Sequence, residues 1–264
     1  MASQALEPRA EYGRLAFDVF LVEKWDYAAD HTTDKQQWEA LARQYLALTP
    51  LQRFPFHREV EARHKTETYA VSPDLAARLF APHQTAQERN LLALRASRDV
   101  HDAIWLRTCY DPSLADAYDA LAEHVIPVSE PVIERPDGAF DDSALYQADD
   151  EEDGLSKFLL RVPELFDLSR CRTEKQFVEQ ERQASHAGDE DLNVEGFVYL
   201  VDRQALEEGV LKVCWVDTHG VCVWWNKIEP EGLLDLTGKW EATCSMAEVV
   251  SCAESEEKGA MLWP

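Results

Sequence analysis

Apolar residues in the first hundred positions recur at helical spacing. Leu15 to Tyr27 is densely apolar, and Trp38, Leu41, Ala42 and Tyr45 follow the i, i+3, i+4, i+7 rule that puts them on one face of a second helix. Pro50 closes that segment, and the pattern predicts a third helix from about Pro55 to Tyr69. Ser72-Pro73 reads as an N-cap followed by proline at the first helical position, with Leu75 and Leu79 turned inward. Thr85 and Glu88 form a capping-box pattern ahead of Leu91, Leu92 and Leu94.

At Ala103 the period changes. Ile104-Trp105-Leu106 is a short apolar run, and Asp111-Pro112 then caps and starts a helix carrying Leu114, Tyr118 and Leu121. Strand, turn and helix in that order open an α/β unit. Thr173 and Gln176 suggest another capping box, for a helix through about Ala184. Phe197 to Val201 reads as a buried strand. Val210 to Val216 and Val221 to Trp225 read as two more, joined by a hairpin turn at Asp217-Thr218-His219-Gly220. With Thr218 to Gly220 as the loop, Cys214 falls opposite Trp224 and Cys222 opposite Val216. The tail from Ala247 has little pattern beyond an apolar Met261-Leu262-Trp263.

Charge changes the picture. Fifty Asp and Glu stand against 26 Lys and Arg, a formal net charge of −24. That balance works against a protein whose whole surface coats nucleic acid or an anionic membrane. Eight acidic residues and no basic one lie between Asp137 and Asp153, so 137–153 is expected to be an exposed acidic loop. It either stays solvated or docks on a basic surface. No run of eighteen apolar residues suggests a membrane span, and the N-terminus lacks the pattern of a secretory signal. The six cysteines are scattered without a C-x-x-C pair and read as buried thiols of a reducing compartment, not as a disulfide framework. Nucleus or cytoplasm is the expected location.

The segment holding Tyr45, Leu48, Thr49, Arg53, Pro55 and Phe56 resembles a high-mobility-group box, in which an aromatic, Leu and Ser or Thr on helix 2 precede a basic residue, Pro and an aromatic opening helix 3. Ala16-Phe17 with Phe20 is similar to helix 1 of that family, and Val60 stands where a small apolar residue packs. The resemblance covers about residues 9 to 70. It implies a three-helix fold that bends DNA from the minor groove, with an apolar wedge and basic phosphate contacts. Asp18 stands at the wedge position, where a carboxylate cannot unstack bases. Residues 9 to 70 carry nine Lys and Arg against ten Asp and Glu. The residues left to grip nucleic acid are Arg9, Arg14, Arg58, Arg63 and Lys65, with His64 beside them; the alternative is a solvated helix face.

Ile104-Trp105-Leu106-Arg107-Thr108-Cys109-Tyr110-Asp111 and the following helix resemble the start of a bacterial and fungal domain family of unknown function. In that family a strand ending in Arg-Thr-Asp precedes a helix, and a strand–Asp–helix segment precedes two more strands. Phe197 to Asp202 and the strands after it match the later part. The resemblance implies an α/β domain and supplies no activity.

Candidate chemistry is sparse. His57, Glu61 and His64 share a helix face, but a carboxylate-bridged metal site needs a second such motif and none is present, so no metal is expected. Cys214, Asp217 and His219 all fall on one hairpin, whereas a catalytic Cys and His come from separate elements. Asp111 and Asp202 follow strands, where α/β sites form, and are equally N-caps. Trp224-Trp225 sends one ring to each sheet face, and Trp225 is either a ligand platform or packing. A pocket near Arg107, Asp111, Asp202 and Trp225 would mark a small-molecule site. No glycine-rich phosphate loop is present and no cofactor is expected.

The expected fold is α+β: a helical, three-helix, box-like module over 9–98, then an α/β domain over 102–264 with a small mixed sheet and a C-terminal hairpin. The leading expectation is a non-enzymatic interaction protein with a protein partner, tuned by the acidic loop. The alternatives are a nuclear DNA-binding protein and a ligand-binding or enzymatic α/β domain.

Overall fold

The computed structural model describes residues 12–30, 32, 34–66, 68–97, 104–129, 139–148, 151–167, 173–186, 196–233, 235–236 and 257–262. The protein is α+β, with helices preceding a five-stranded mixed sheet. It divides into two compact units. One holds residues 1–100 and 160–182, the other 101–159 and 183–264.

The helical unit contains α1 (Ala16–Lys24), α2 (Asp34–Leu46), α3 (Pro50–His64), α4 (Pro73–Phe80) and α5 (Ala86–Ser97). Phe17 is its hub. The ring is fully buried, 5.1 Å from Tyr45, 5.4 Å from Trp38 and 5.8 Å from Phe80, all edge-on, the arrangement aromatic quadrupoles favour. Phe20 adds Tyr45 and Phe56 at 5.3 Å each.

The third helix opens at Pro50, five residues before the expected start. Thr49 and Gln52 form a reciprocal capping box there, and Pro50 occupies a position whose missing N–H costs nothing. The proline at 50 that ends α2's pattern also begins α3.

The helical unit recruits a segment that the sequence pattern groups with the α/β domain. Residues 160–182 supply the carbonyl of Leu160 to Trp38 Nε1 at 3.1 Å, Glu164 to the amide of Phe17 at 2.9 Å, and Glu181 to Thr49 Oγ1 at 2.8 Å and the amide of Leu51 at 3.0 Å. Phe177, on α9 (Glu174–His186), is buried against Phe54 and His57 at 5.2 Å. The single domain expected over 102–264 is thus interrupted. The physical reason is that this segment brings the acceptors and the ring that α1 to α3 leave unmatched.

The second unit is built on β1 (Ile104–Arg107), β2 (Gly196–Val201), β3 (Leu211–Val216), β4 (Cys222–Ile228) and β5 (Met261–Leu262), hydrogen-bonded in that order. β1 runs parallel to β2, β5 parallel to β4, and β2–β3 and β3–β4 are antiparallel. The expected hairpin forms, with Asp217 accepting from the amides of His219 and Val221 and Gly220 at φ +76°. A register shift between Trp215 and Val216 places Cys214 opposite Trp225, one residue from the expected pairing, while Cys222 faces Val216 as expected.

Alternation divides this sheet. Tyr199, Val201, Leu211, Val213, Trp215 and Ile228 join one apolar cluster, with Trp105, Tyr118 of α6 (Ala115–Ser129) and Trp224 packed against it. Leu106, Leu200, Lys212, Cys214 and Trp225 point to the other face.

The acidic stretch is exposed at Asp141, Asp142 and Asp153, as its composition predicts, but it is anchored and partly helical and is not a free loop. Its residues 137–138 and 149–150 lie outside the described residues. In the rest, Phe140 bridges Leu106, and Phe140 and Tyr146 are buried with Phe158 at 5.0 and 5.8 Å. Asp142 caps α7 (Ser143–Tyr146), and α8 (Glu151–Arg161) begins inside the acidic run. The two aromatic side chains outweigh the charge, since their burial anchors the backbone between them. Gly154 lets α8 approach β1's end: a Cβ there would stand 2.6 Å from Thr108 Cγ2.

Candidate functional site

The helical unit's interior holds charges that the aromatic pattern conceals. Asp18 is fully buried and receives a two-pronged ion pair from Arg89, Nη1 to Oδ1 and Nη2 to Oδ2, each at 2.9 Å. Its Oδ2 also accepts from the amides of Gly13, Arg14 and Leu15. Asp18 therefore caps the start of α1 and does not face solvent as a wedge would.

Asp167 forms a second closed cluster. Tyr45 donates its hydroxyl to it, Arg53 Nη1 donates at 3.1 Å and His57 Nε2 lies at 2.8 Å. Arg53 is fully buried and also donates to the carbonyls of Leu46 and Leu48. Burial alone would raise the Asp167 carboxyl. His57 and Arg53 overcome that and hold it well below the usual carboxylate range. Glu88 pairs with Arg161 in the same unit. Each of these groups satisfies another, so the clusters are structural and leave no reactive group exposed.

Glu164 is the exception. Its Oε2 accepts from Phe17, but its buried Oε1 has no partner among the described residues. Burial, and then the nearby Asp18 charge, push this carboxyl up to about 8.

The basic residues the sequence singled out lie on this unit's surface. Arg58, Arg63, His64 and Lys65 are exposed on the last turns of α3 and its cap. Arg63 donates to Glu59 at 2.9 Å, one helical turn back. Arg14 is exposed, its guanidinium 4.7 Å from the centre of the exposed Tyr69 ring. Arg9 lies outside the described residues. Arg14, Val60, His64, Thr68 and Ala70 line a cleft of about 370 Å³. The chain forms it by turning back after α3: Arg63's carbonyl accepts from the amides of Thr66 and Thr68, and Gly13's carbonyl from those of Ala70 and Val71.

The four pocket candidates of the other unit do not share a site. Asp111 accepts from Ser113 and pairs with Arg203 at 2.7 Å. Asp202 caps α10 (Arg203–Glu208) through the amide of Ala205 and takes the buried Lys212 at 2.6 Å. Both are the helix caps that the sequence allowed. Trp225 lies on the sheet face opposite Arg107. Lys212 Nζ sits 4.8 Å from its ring centre, and Gly259 presses so close that a Cβ would stand 2.4 Å from the ring. This ring is packed and offers no platform.

Arg107 differs. Its guanidinium lies 3.7 Å from the centre of the Tyr118 ring and 4.7 Å from that of Tyr110. Nε donates to the carbonyl of Cys109 at 2.9 Å, and Nη1 reaches Asp141 at 3.4 and 3.5 Å. Burial, and then Asp141, push Tyr118 up to about 12 and raise Tyr110 as well. Sequence reading found Arg107 but not its neighbours Tyr110, Tyr118 and Asp141. These come from a loop, a helix and the acidic segment, and nothing in their spacing links them.

Cys214 is buried and Asp217 is spent on the turn, so the hairpin residues form no nucleophile–base pair. No group of three or more His, Cys, Asp or Glu able to hold a metal ion occurs among the described residues. No helix among them is long and apolar enough to cross a membrane. No family model, no curated protein and no solved structure matches the chain.

Proposed function

We propose that this is a non-enzymatic interaction protein whose helical unit docks a protein partner on the surface where α3 ends. The observation that carries the reading is the cleft between Val60, His64, Thr68, Ala70 and Arg14, with Arg58, Arg63 and Lys65 exposed on the same helix and its cap. Val60 and Ala70 favour an apolar side chain and the cations around them favour a neighbouring carboxylate, so the partner segment is acidic and apolar together.

A duplex fits this surface less well. Tight duplex binding draws on many phosphate contacts, and here a few cations are interleaved with Glu59 and Glu61. The residue at the box's wedge position, Asp18, is sealed in an ion pair. The box-like order of Tyr45, Leu48, Thr49, Arg53, Pro55 and Phe56 then serves as scaffold. Work in either the nucleus or the cytoplasm is consistent with this role.

The test is fluorescence anisotropy of the full chain with a labelled peptide of alternating Glu and Leu. Salt-sensitive binding that falls at least tenfold in the Arg58→Glu/Arg63→Glu/Lys65→Glu protein supports the reading. Binding unchanged by the triple reversal removes it.

A further inference from the structure

We infer that Arg107, framed by Tyr110 and Tyr118 at the carboxyl end of β1, is a recognition site for the carboxylate of a small flat ligand, and that Asp141 occupies it as an internal stand-in. This rests on unit geometry separate from the cleft at α3.

Three features set this arginine apart from the others that are buried. First, it is held before any ligand arrives. The ring of Tyr118 at 3.7 Å and that of Tyr110 at 4.7 Å flank the guanidinium, and the Nε bond to Cys109 fixes its rotation. A guanidinium fixed in this way loses little freedom on binding.

Second, its charge is under-compensated. Its side chain is only 14% exposed, yet among the described residues its one carboxylate contact is at 3.4–3.5 Å, beyond the usual length of a charge-assisted bond. Arg89, by contrast, has two bonds of 2.9 Å to Asp18. A mostly buried cation with a slack partner gains from a better anion.

Third, the donors left over define the ligand. Nε is committed to Cys109, which blocks side-on approach. Nη2 has no hydrogen-bond partner among the described residues and Nη1 is loosely held, so the end-on fork of Nη1 and Nη2 is what an incoming carboxylate meets. The two phenol rings that flank the guanidinium favour a flat body behind the acid. The backbone around Asp141 is anchored by Phe140 and Tyr146, but its side chain is 31% exposed and meets Arg107 only at 3.4–3.5 Å, so the carboxylate can swing aside for a better one.

Asp141 already presents a carboxylate here, so replacing it separates a ligand site from a structural pair. Calorimetric titration of the full chain uses benzoate as the carboxylate probe and inorganic phosphate as the competing oxyanion, at matched ionic strength. One-site, saturable benzoate binding is expected, weaker for phosphate. Asp141→Asn removes the internal competitor and tightens benzoate several-fold. Arg107→Lys, which keeps the charge and loses the fork, weakens it at least tenfold. If Arg107→Lys fails to fold, the Asp141→Asn comparison decides alone. Absence of saturable binding in both the wild type and folded Asp141→Asn overturns the site, as does unchanged affinity in Arg107→Lys. Phosphate binding tighter than benzoate overturns the carboxylate assignment.

Discussion

The two units treat buried arginine in opposite ways. In the helical unit Arg53 and Arg89 are wholly enclosed, and each meets a carboxylate that other donors also hold in place. In the sheet unit Arg107 keeps a little exposure, stacks on tyrosines and meets its carboxylate loosely. The first arrangement fixes a fold, because removing either partner strands a charge in a dry interior. The second leaves a fixed donor with capacity to spare. Charge inside this protein is thus not evidence of chemistry by itself; what distinguishes the sites is whether the partners close on one another.

That comparison can be broken most sharply at Asp18. Asp18→Ala leaves Arg89 buried and unpaired and frees three amides at the start of α1, for an expected loss of about 3–5 kcal/mol in chemical denaturation. A loss within about 1 kcal/mol would mean that the pair is not sealed.

Glu164 gives the next effect, with a sign that depends on pH. Its native carboxyl is raised to about 8, so between the ordinary carboxylate range and pH 8 the folded state holds a proton that the unfolded state has released. Stability from this group falls as pH rises through that window. Glu164→Gln, which mimics the protonated acid, is expected to be more stable than wild type by about 1–2 kcal/mol at pH 8–9 and equal to it near pH 4. Asp167 works in the other direction: held low by His57 and Arg53, it contributes stability that is fully present above the ordinary carboxylate range and falls progressively as the pH drops below it.

Asp141→Asn is expected to change stability by less than about 1 kcal/mol, because its carboxylate is partly exposed and its contacts with Arg107 are long. A loss as large as that of Asp18→Ala would place Arg107 among the closed pairs. The smallest effect belongs to the α3 surface. Arg58→Glu/Arg63→Glu/Lys65→Glu is expected to shift stability by no more than about 0.5 kcal/mol per residue while reducing peptide binding.

Local signals in the sequence were reliable where they closed locally. Thr85 and Glu88 form their capping box, Asp111 and Asp202 cap as their positions imply, and the Asp217–Gly220 turn joins its two strands. The register slip at Trp215 needed the bulge, which no residue in that hairpin announces. The acidic composition around Asp149 hid Phe140 and Tyr146, whose burial decides that segment's structure. The pairs that define the sites join positions far apart in sequence. Asp18 finds Arg89 and Arg53 finds Asp167 across 71 and 114 residues, and Arg107 meets Asp141 across 34. Periodicity carries no information at such separations. The same holds for the cleft at α3, which exists because the chain folds back onto Gly13.

On the function proposed above, the helical unit docks an acidic, apolar protein segment on the cations around the end of α3. This docking is tested most directly by competition on the full chain, with the labelled Glu/Leu peptide displaced by unlabelled peptide or by bent and linear duplex DNA at two salt concentrations. Displacement by peptide is expected, weakened at the higher salt, and none by either duplex at equal concentration. Displacement by bent duplex at lower concentration than by peptide would contradict the proposed docking and make the helical unit a DNA-binding module.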